Sequence, residues 1–192
     1  MRRRDALLAG ALACGAPLLP GATSEAQRRR RYPLRVSIRQ HTLTVEEYEP
    51  SMVIPVTVGQ RSREGAKQTS GDLRTPRGLY HIVRLRSGHP MLHRFALLGY
   101  PNPDDAARGR EAGLISRREA EAIREAYDAR HTPPQQTALG GAIGIHGLGV
   151  VGYAGEVIER GDFTEGCIAM RNADIDRLWP LLRLGTPVFI DE

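Results

Sequence analysis

Apolar residues recur along most of this chain in short runs, some alternating with polar residues and some continuous. Such runs cover 34–39, 42–47, 52–58, 79–84, 95–98, 142–146, 150–159, 167–170 and 188–190. Runs of strand length closed by turn residues predict a mainly β domain. Two stretches carry helical spacing instead. Ser116 and Glu119 form a capping box for a helix running to about Ala129, with Ile123 and Tyr127 on one side. Asn172 stands where a cap would open a second helix, whose apolar residues Ile175, Leu178, Trp179 and Leu182 precede Gly185, with a kink at Pro180. The segment from Pro101 to Gly141 is long for a connector. It reads either as a solvated excursion or as a mobile flap beside an active site, since the apolar side of its helix is thin.

Composition narrows the class. A chain of 192 residues with 41% hydrophobic and 26% charged residues is a globular protein with one main domain. The net charge is +5, but Lys67 is the only lysine among 27 basic residues, and no basic stripe is interleaved with aromatics. Nucleic acid is therefore not an expected partner. No apolar run reaches the roughly 18 to 20 residues of a transmembrane span. At the start, Arg2, Arg3 and Arg4 precede an apolar stretch from Ala6 to Leu19, followed by Ser24-Glu25-Ala26. This pattern predicts a signal peptide over 1–26, with a twin-arginine look, and export to the periplasm or cell wall. A basic linker follows at 27–33. The signal would take Cys14 with it and leave Cys167 as the sole thiol, so no intramolecular disulfide can form. A lone thiol in an oxidising compartment is either a buried apolar filler or a functional group.

Two motifs carry chemistry. In Ile143-Gly144-Ile145-His146-Gly147 a histidine ends an apolar strand, and in Thr164-Glu165-Gly166-Cys167-Ile168-Ala169-Met170 a thiol enters another. A cysteine nucleophile needs a base or cation to raise its thiolate fraction, and histidine serves near neutral pH. The backbone N–H groups of Gly166 and Cys167 are candidate donors to an oxyanion. A core histidine hydrogen-bonded to the backbone remains the plain alternative for His146.

The wider context resembles the L,D-transpeptidase catalytic (YkuD) family, whose signature is a histidine, a gap and [S/T]-x-G-C. Here these are His146 and Thr164 to Cys167. Three further pieces match. Gly71-Asp72-Leu73-Arg74-Thr75-Pro76-Arg77-Gly78-Leu79-Tyr80 is similar to the family's G-D-x-x-T-P-x-G-x-Y turn, Leu97 to Asn102 to its S-Y-P-N segment, and 172–188 to its closing helix and last strand. The resemblance spans 34–191, with 101–141 as a helical insertion. It implies a β-sandwich with a few short helices, and acyl transfer on peptidoglycan stem peptides. Cys167 would be the nucleophile and His146 the general base and acid, with the Gly147 carbonyl orienting the imidazole and the Gly166 and Cys167 amides forming the oxyanion hole. The family needs no metal or organic cofactor and is inhibited by carbapenem-type compounds.

One position departs from the pattern. Many family transpeptidases carry arginine two residues after the nucleophile, and here that residue is Ala169. Gly-Cys-Ile-Ala-Met resembles a separate branch that includes a hydrolase releasing a wall-linked lipoprotein, so a hydrolase of stem peptides stands beside the transpeptidase. A non-catalytic wall-binding module is a remote alternative. His89 and His93 have the spacing of two metal ligands on a helix, but Pro90 and the Ser87-Gly88 turn oppose a helix there.

Overall fold

The alternating runs become eight strands in the computed structural model, which describes residues 30–89, 91–149 and 161–192. They are β1 Leu34–Ser37, β2 Thr42–Val45, β3 Met52–Pro55, β4 Gly78–His89, β5 His93–Leu98, β6 Gly144–Gly147, β7 Ile168–Met170 and β8 Pro187–Asp191. Their spatial order is β3-β2-β1-β8-β4-β5-β6-β7. The expected signal peptide and the run at 150–159 lie outside the described residues.

Strand β4 is the corner of the fold. Its first four residues pair with β8 and its remainder with β5, with an irregular register between Ile82 and Arg84. A bulge at that point bends the strand, so one long strand serves two sheets, as at sandwich corners. The domain is mainly β, in agreement with the sandwich expectation. The chain also brings the two edges together. After Pro55 it leaves β2, and Thr57 forms an antiparallel bridge to Ala169 beside β7, while Gly59 bridges Thr164. The run read as one strand over 52–58 is thus split at a proline and serves both edges.

Alternation sends one side of every strand inward. Val36, Leu43, Ile54, Tyr80, Ile82, Leu98, Ile145, Ile168 and Val188 are all fully buried, joined by Ile175 and Leu178 from the helix α3, Asn172–Leu178. Burial of an isoleucine or leucine of this kind contributes about 1.5–3 kcal/mol. α3 is shorter than its apolar spacing predicts, because Pro180 enforces a 3-10 turn over Trp179–Leu181.

The segment between β5 and β6 holds two helices, α1 Pro103–Glu111 and α2 Arg117–Asp128. α2 has the expected Ser116–Glu119 capping box. α1 was not anticipated, although Asn102 caps it with Asp105 in a second capping box and Pro103 stands in its first turn. The structure corrects the mobile-flap reading. Ile123 is fully buried with Ala106, Ile115 and Leu139 in a small second core. Buried polar bonds tie this unit to the sandwich: Tyr80 donates to Asp105 at 3.0 Å, Asn102 to the Leu79 carbonyl at 3.1 Å, and Tyr100 to the Leu139 carbonyl at 2.8 Å.

Candidate active site

Register alone places the two reactive groups on one face. Strands β6 and β7 run parallel with Ile145 opposite Ile168 and His146 opposite Ala169. Side chains alternate, so Gly144, His146 and Ala169 share a face, and Cys167, one step before β7, falls on it beside Gly144. Across β5, Phe95 is opposite His146 and Leu97 opposite Gly144. Phe95 and Leu97 floor a cleft of about 770 Å³ that contains both Cys167 and His146. Gly144 is required there, because a Cβ on it would lie 2.7 Å from the Phe95 ring.

His146 is buried, and its Nδ1 lies 2.6 Å from the Gly147 carbonyl. Since that oxygen only accepts, Nδ1 carries the proton and Nε2 is the basic nitrogen. The turn after Gly147 is held from a distance. Asn172 Oδ1 accepts from the amides of Leu148 at 2.9 Å and Gly149 at 3.1 Å, and its Nδ2 donates to the Gly149 carbonyl at 2.8 Å. Asn172 is therefore the first residue of α3 and no cap. Sequence reasoning missed this role because its partners are more than twenty residues away, and nothing local marks the side chain.

The loop before Cys167 is braced on both flanks. Thr164 exchanges backbone bonds with Val58 and Gln60, and its hydroxyl donates to the Cys167 carbonyl at 2.6 Å. Gly166 has φ +133, and a Cβ on it would meet the Arg74 carbonyl oxygen at 2.6 Å. The Gly71–Tyr80 motif thus buttresses the nucleophile loop through Arg74. Asp72 anchors that motif: its carboxylate accepts from the amides of Gln68, Thr69 and Arg74 and from the Lys67 ammonium at 2.8 Å. Burial acts to raise the Asp72 carboxyl, and the Lys67 bond and these amides outweigh it and hold it below its ordinary value. Thr75 is fully buried, with its hydroxyl accepting from Gly59 N and its amide donating to Ser62 Oγ.

Gly166 differs from the sequence expectation in one respect. Its N–H donates to Thr164 Oγ1 at 3.2 Å, because a hydroxyl two residues earlier captures it in a local turn. Of the two amides expected to face an oxyanion, Cys167 N–H is the one not engaged in this way.

The half-buried thiol donates to the Ala142 carbonyl at 3.4 Å. Burial pushes it up to about 11, the nearby Glu165 carboxylate adds to the rise, and a backbone hydrogen bond from Gly144 and the charge of Lys67 oppose it. The resting thiol is therefore neutral at pH 7. His89 is opposite His93 in the backbone register of β4 and β5, so neither is on a helix, and His93 Nε2 lies 3.0 Å from Asp176. Among the described residues no three metal-ligating side chains converge, and no helix is long and apolar enough to cross a membrane.

A family model described as the L,D-transpeptidase catalytic domain, YkuD, matches residues 31–190. No curated protein sequence matches the chain. Solved structures share the fold. Pgp2, described as a helical cell shape determining protein from Campylobacter jejuni, matches at 21% identity and a TM-score of 0.51, covering 83% of this chain and 46% of that one. A substituted variant of the same protein gives 20% identity, a TM-score of 0.55 and coverage of 84% and 47%. An L,D-transpeptidase from Xylanimonas cellulosilytica gives 17% identity, coverage of 85% and 62%, and a TM-score of 0.46. The chain spans about half the length of the Pgp2 structures.

Proposed function

The chain belongs to the L,D-transpeptidase catalytic domain family, and from that premise we propose that it is an exported cysteine acyltransferase acting on peptidoglycan stem peptides. The observation that carries this reading is the placement of Cys167 and His146 on one sheet face in one cleft, with the imidazole tautomer set by the Gly147 carbonyl. Cys167 Sγ attacks the carbonyl at the L-centre of the stem's diamino acid while His146 Nε2 takes the thiol proton. The Cys167 N–H donates to the developing oxyanion. The C–N bond to the terminal D-alanine then breaks, and His146 returns the proton to the leaving amine. A second amine, or water, attacks the thioester carbonyl, loses its proton to His146 and frees the thiol. No step draws on a metal or cofactor. Because the resting thiol is neutral, proton transfer accompanies attack on bound substrate.

Hydrolysis is the second reading, and Ala169 favours it. That residue is fully buried, and its backbone is bonded to Thr57 in both directions, so the arginine found here in many family transpeptidases has no counterpart at this position. Hydrolysis of a stem peptide would remodel the wall, and cleavage at a wall-linked lipoprotein would release it; the Campylobacter protein of this fold is described as determining helical cell shape. Mass spectrometry of products from a tetrapeptide muropeptide decides between the two. Cross-linked dimers mean transfer, trimmed monomers mean hydrolysis, and absence of both overturns the acyl-enzyme reading. The Cys167→Ala variant should give neither product and no adduct with a carbapenem.

A further inference from the structure

The same register that joins Cys167 to His146 extends across two more strands. Arg86 is opposite Phe95, which is opposite His146, which is opposite Ala169. In the next row Arg84 is opposite Leu97, which is opposite Gly144, beside which Cys167 falls. All these side chains share one face, and both arginines are exposed and line the cleft.

Their charge is unmatched. Arg35, Arg61, Arg74, Arg94 and Arg108 each pair with a carboxylate. Arg84 and Arg86 have no acidic partner among the described residues. Two adjacent unpaired guanidiniums above an apolar floor of Phe95 and Leu97 suit a peptide carrying a carboxylate. Ala169 and Arg86 end the same row, so a cation absent at one end is present at the other.

We propose that Arg84 and Arg86 form a carboxylate clamp for the donor stem peptide, a specificity element that rests on the acyl-transfer reading above. Distance selects the carboxylate. Three strand steps put the Arg84 and Cys167 backbones about 14 Å apart. An arginine side chain covers about half of that on its stem. The remaining gap of about 7 Å equals two residues of extended peptide. The carboxylate of the departing D-alanine is one residue from the scissile carbonyl and falls short. The carboxylates that fit are the free one on the stem's D-glutamate and the one on the far end of the diamino acid.

The test compares full-length wild type with Arg84→Gln/Arg86→Gln and Arg84→Lys/Arg86→Lys, using three tetrapeptide donors: one with all carboxylates free, one amidated on D-glutamate and one amidated on the far carboxylate. Both side chains are at the surface, so the variants keep the fold, and alkylation of Cys167 by neutral iodoacetamide checks that the thiol is intact. Charge-assisted bonds of this kind predict that the glutamine variant raises KM for the free donor about tenfold, with a smaller change in kcat. The lysine variant should recover part of the loss. One amidated donor should show the same KM penalty on wild type and no further penalty on the glutamine variant, which identifies the carboxylate held. Normal wild-type turnover with an unchanged KM in the glutamine variant would overturn the clamp and leave the acyl-transfer reading standing. Failure of wild type to turn over any donor would overturn both.

Discussion

At the scale of single residues, the site depends on fixing two small geometries. His146 has its Nδ1 committed to Gly147, so only Nε2 is basic. Its replacement by alanine should slow carbapenem acylation of Cys167 by about 10²- to 10⁴-fold, the usual contribution of a general base, as read by stopped-flow. An undiminished rate would mean that His146 is structural. The free thiol, raised to about 11, should react with iodoacetamide at a rate that climbs through pH 8–10. A plateau below pH 8 would mean a preformed thiolate. Asn172 acts on His146 through the backbone. Asn172→Ala removes the acceptor of two amides and the donor to the Gly149 carbonyl. It should cost about 1–3 kcal/mol in denaturant unfolding and lower kcat more than it raises KM, because the Gly147 carbonyl loses its bracing.

At the scale of elements, the helical segment between β5 and β6 is a wall of the site. Thr132 and Gln135 line the cleft, and Gln135 accepts from Ala142 N at 2.7 Å, next to the carbonyl that receives the Cys167 thiol. Asp105 anchors the segment. Burial acts to raise its carboxyl, against the Asn102 amide, Arg108 and the Tyr80 hydroxyl. Deleting 104–136 behind a short Gly/Ser linker would leave Tyr80 without Asp105 and would open the second core. The truncated protein should fail to give a cooperative thermal transition. A folded truncation would show instead that the sandwich stands without the segment.

At the scale of the whole molecule, the buried tyrosines set an alkaline limit. Burial, reinforced by Asp105, pushes the Tyr80 and Tyr100 hydroxyls well above their usual value. Folded protein keeps these protons while unfolded chain releases them near pH 10, so above that pH the unfolded state binds fewer protons and stability falls as pH rises. The loss should approach about 1.4 kcal/mol per pH unit for each such tyrosine, and Tyr80→Phe should lower the slope above pH 10 in chemical denaturation. A flat profile to pH 11 would contradict this burial.

Much of this was legible without coordinates, because local rules act locally. Alternation produced the strands, Ser116 with Glu119 started α2, and the motifs around His146 and Cys167 carried the resemblance to the family. Asn102-Pro103 with Asp105 was an equally readable helix start that went unread. Other features had no local trace. Asn172 looks like a cap and is a clamp, since its partners approach only when α3 packs against the end of β6. Thr164 was part of a motif, but that its hydroxyl engages the Gly166 amide depends on how the turn closes. Arg84 ends the apolar run at 79–84 and Arg86 lies beyond it, and nothing local marks either as a binding residue. Only the register of four strands, two of them more than fifty residues further along the chain, lays them on the face that holds the thiol. Sequence determined which residues alternate, cap and react, because those properties belong to neighbours in the chain. Tertiary structure alone decided which of them meet, because strand pairing and burial join segments that share no local pattern.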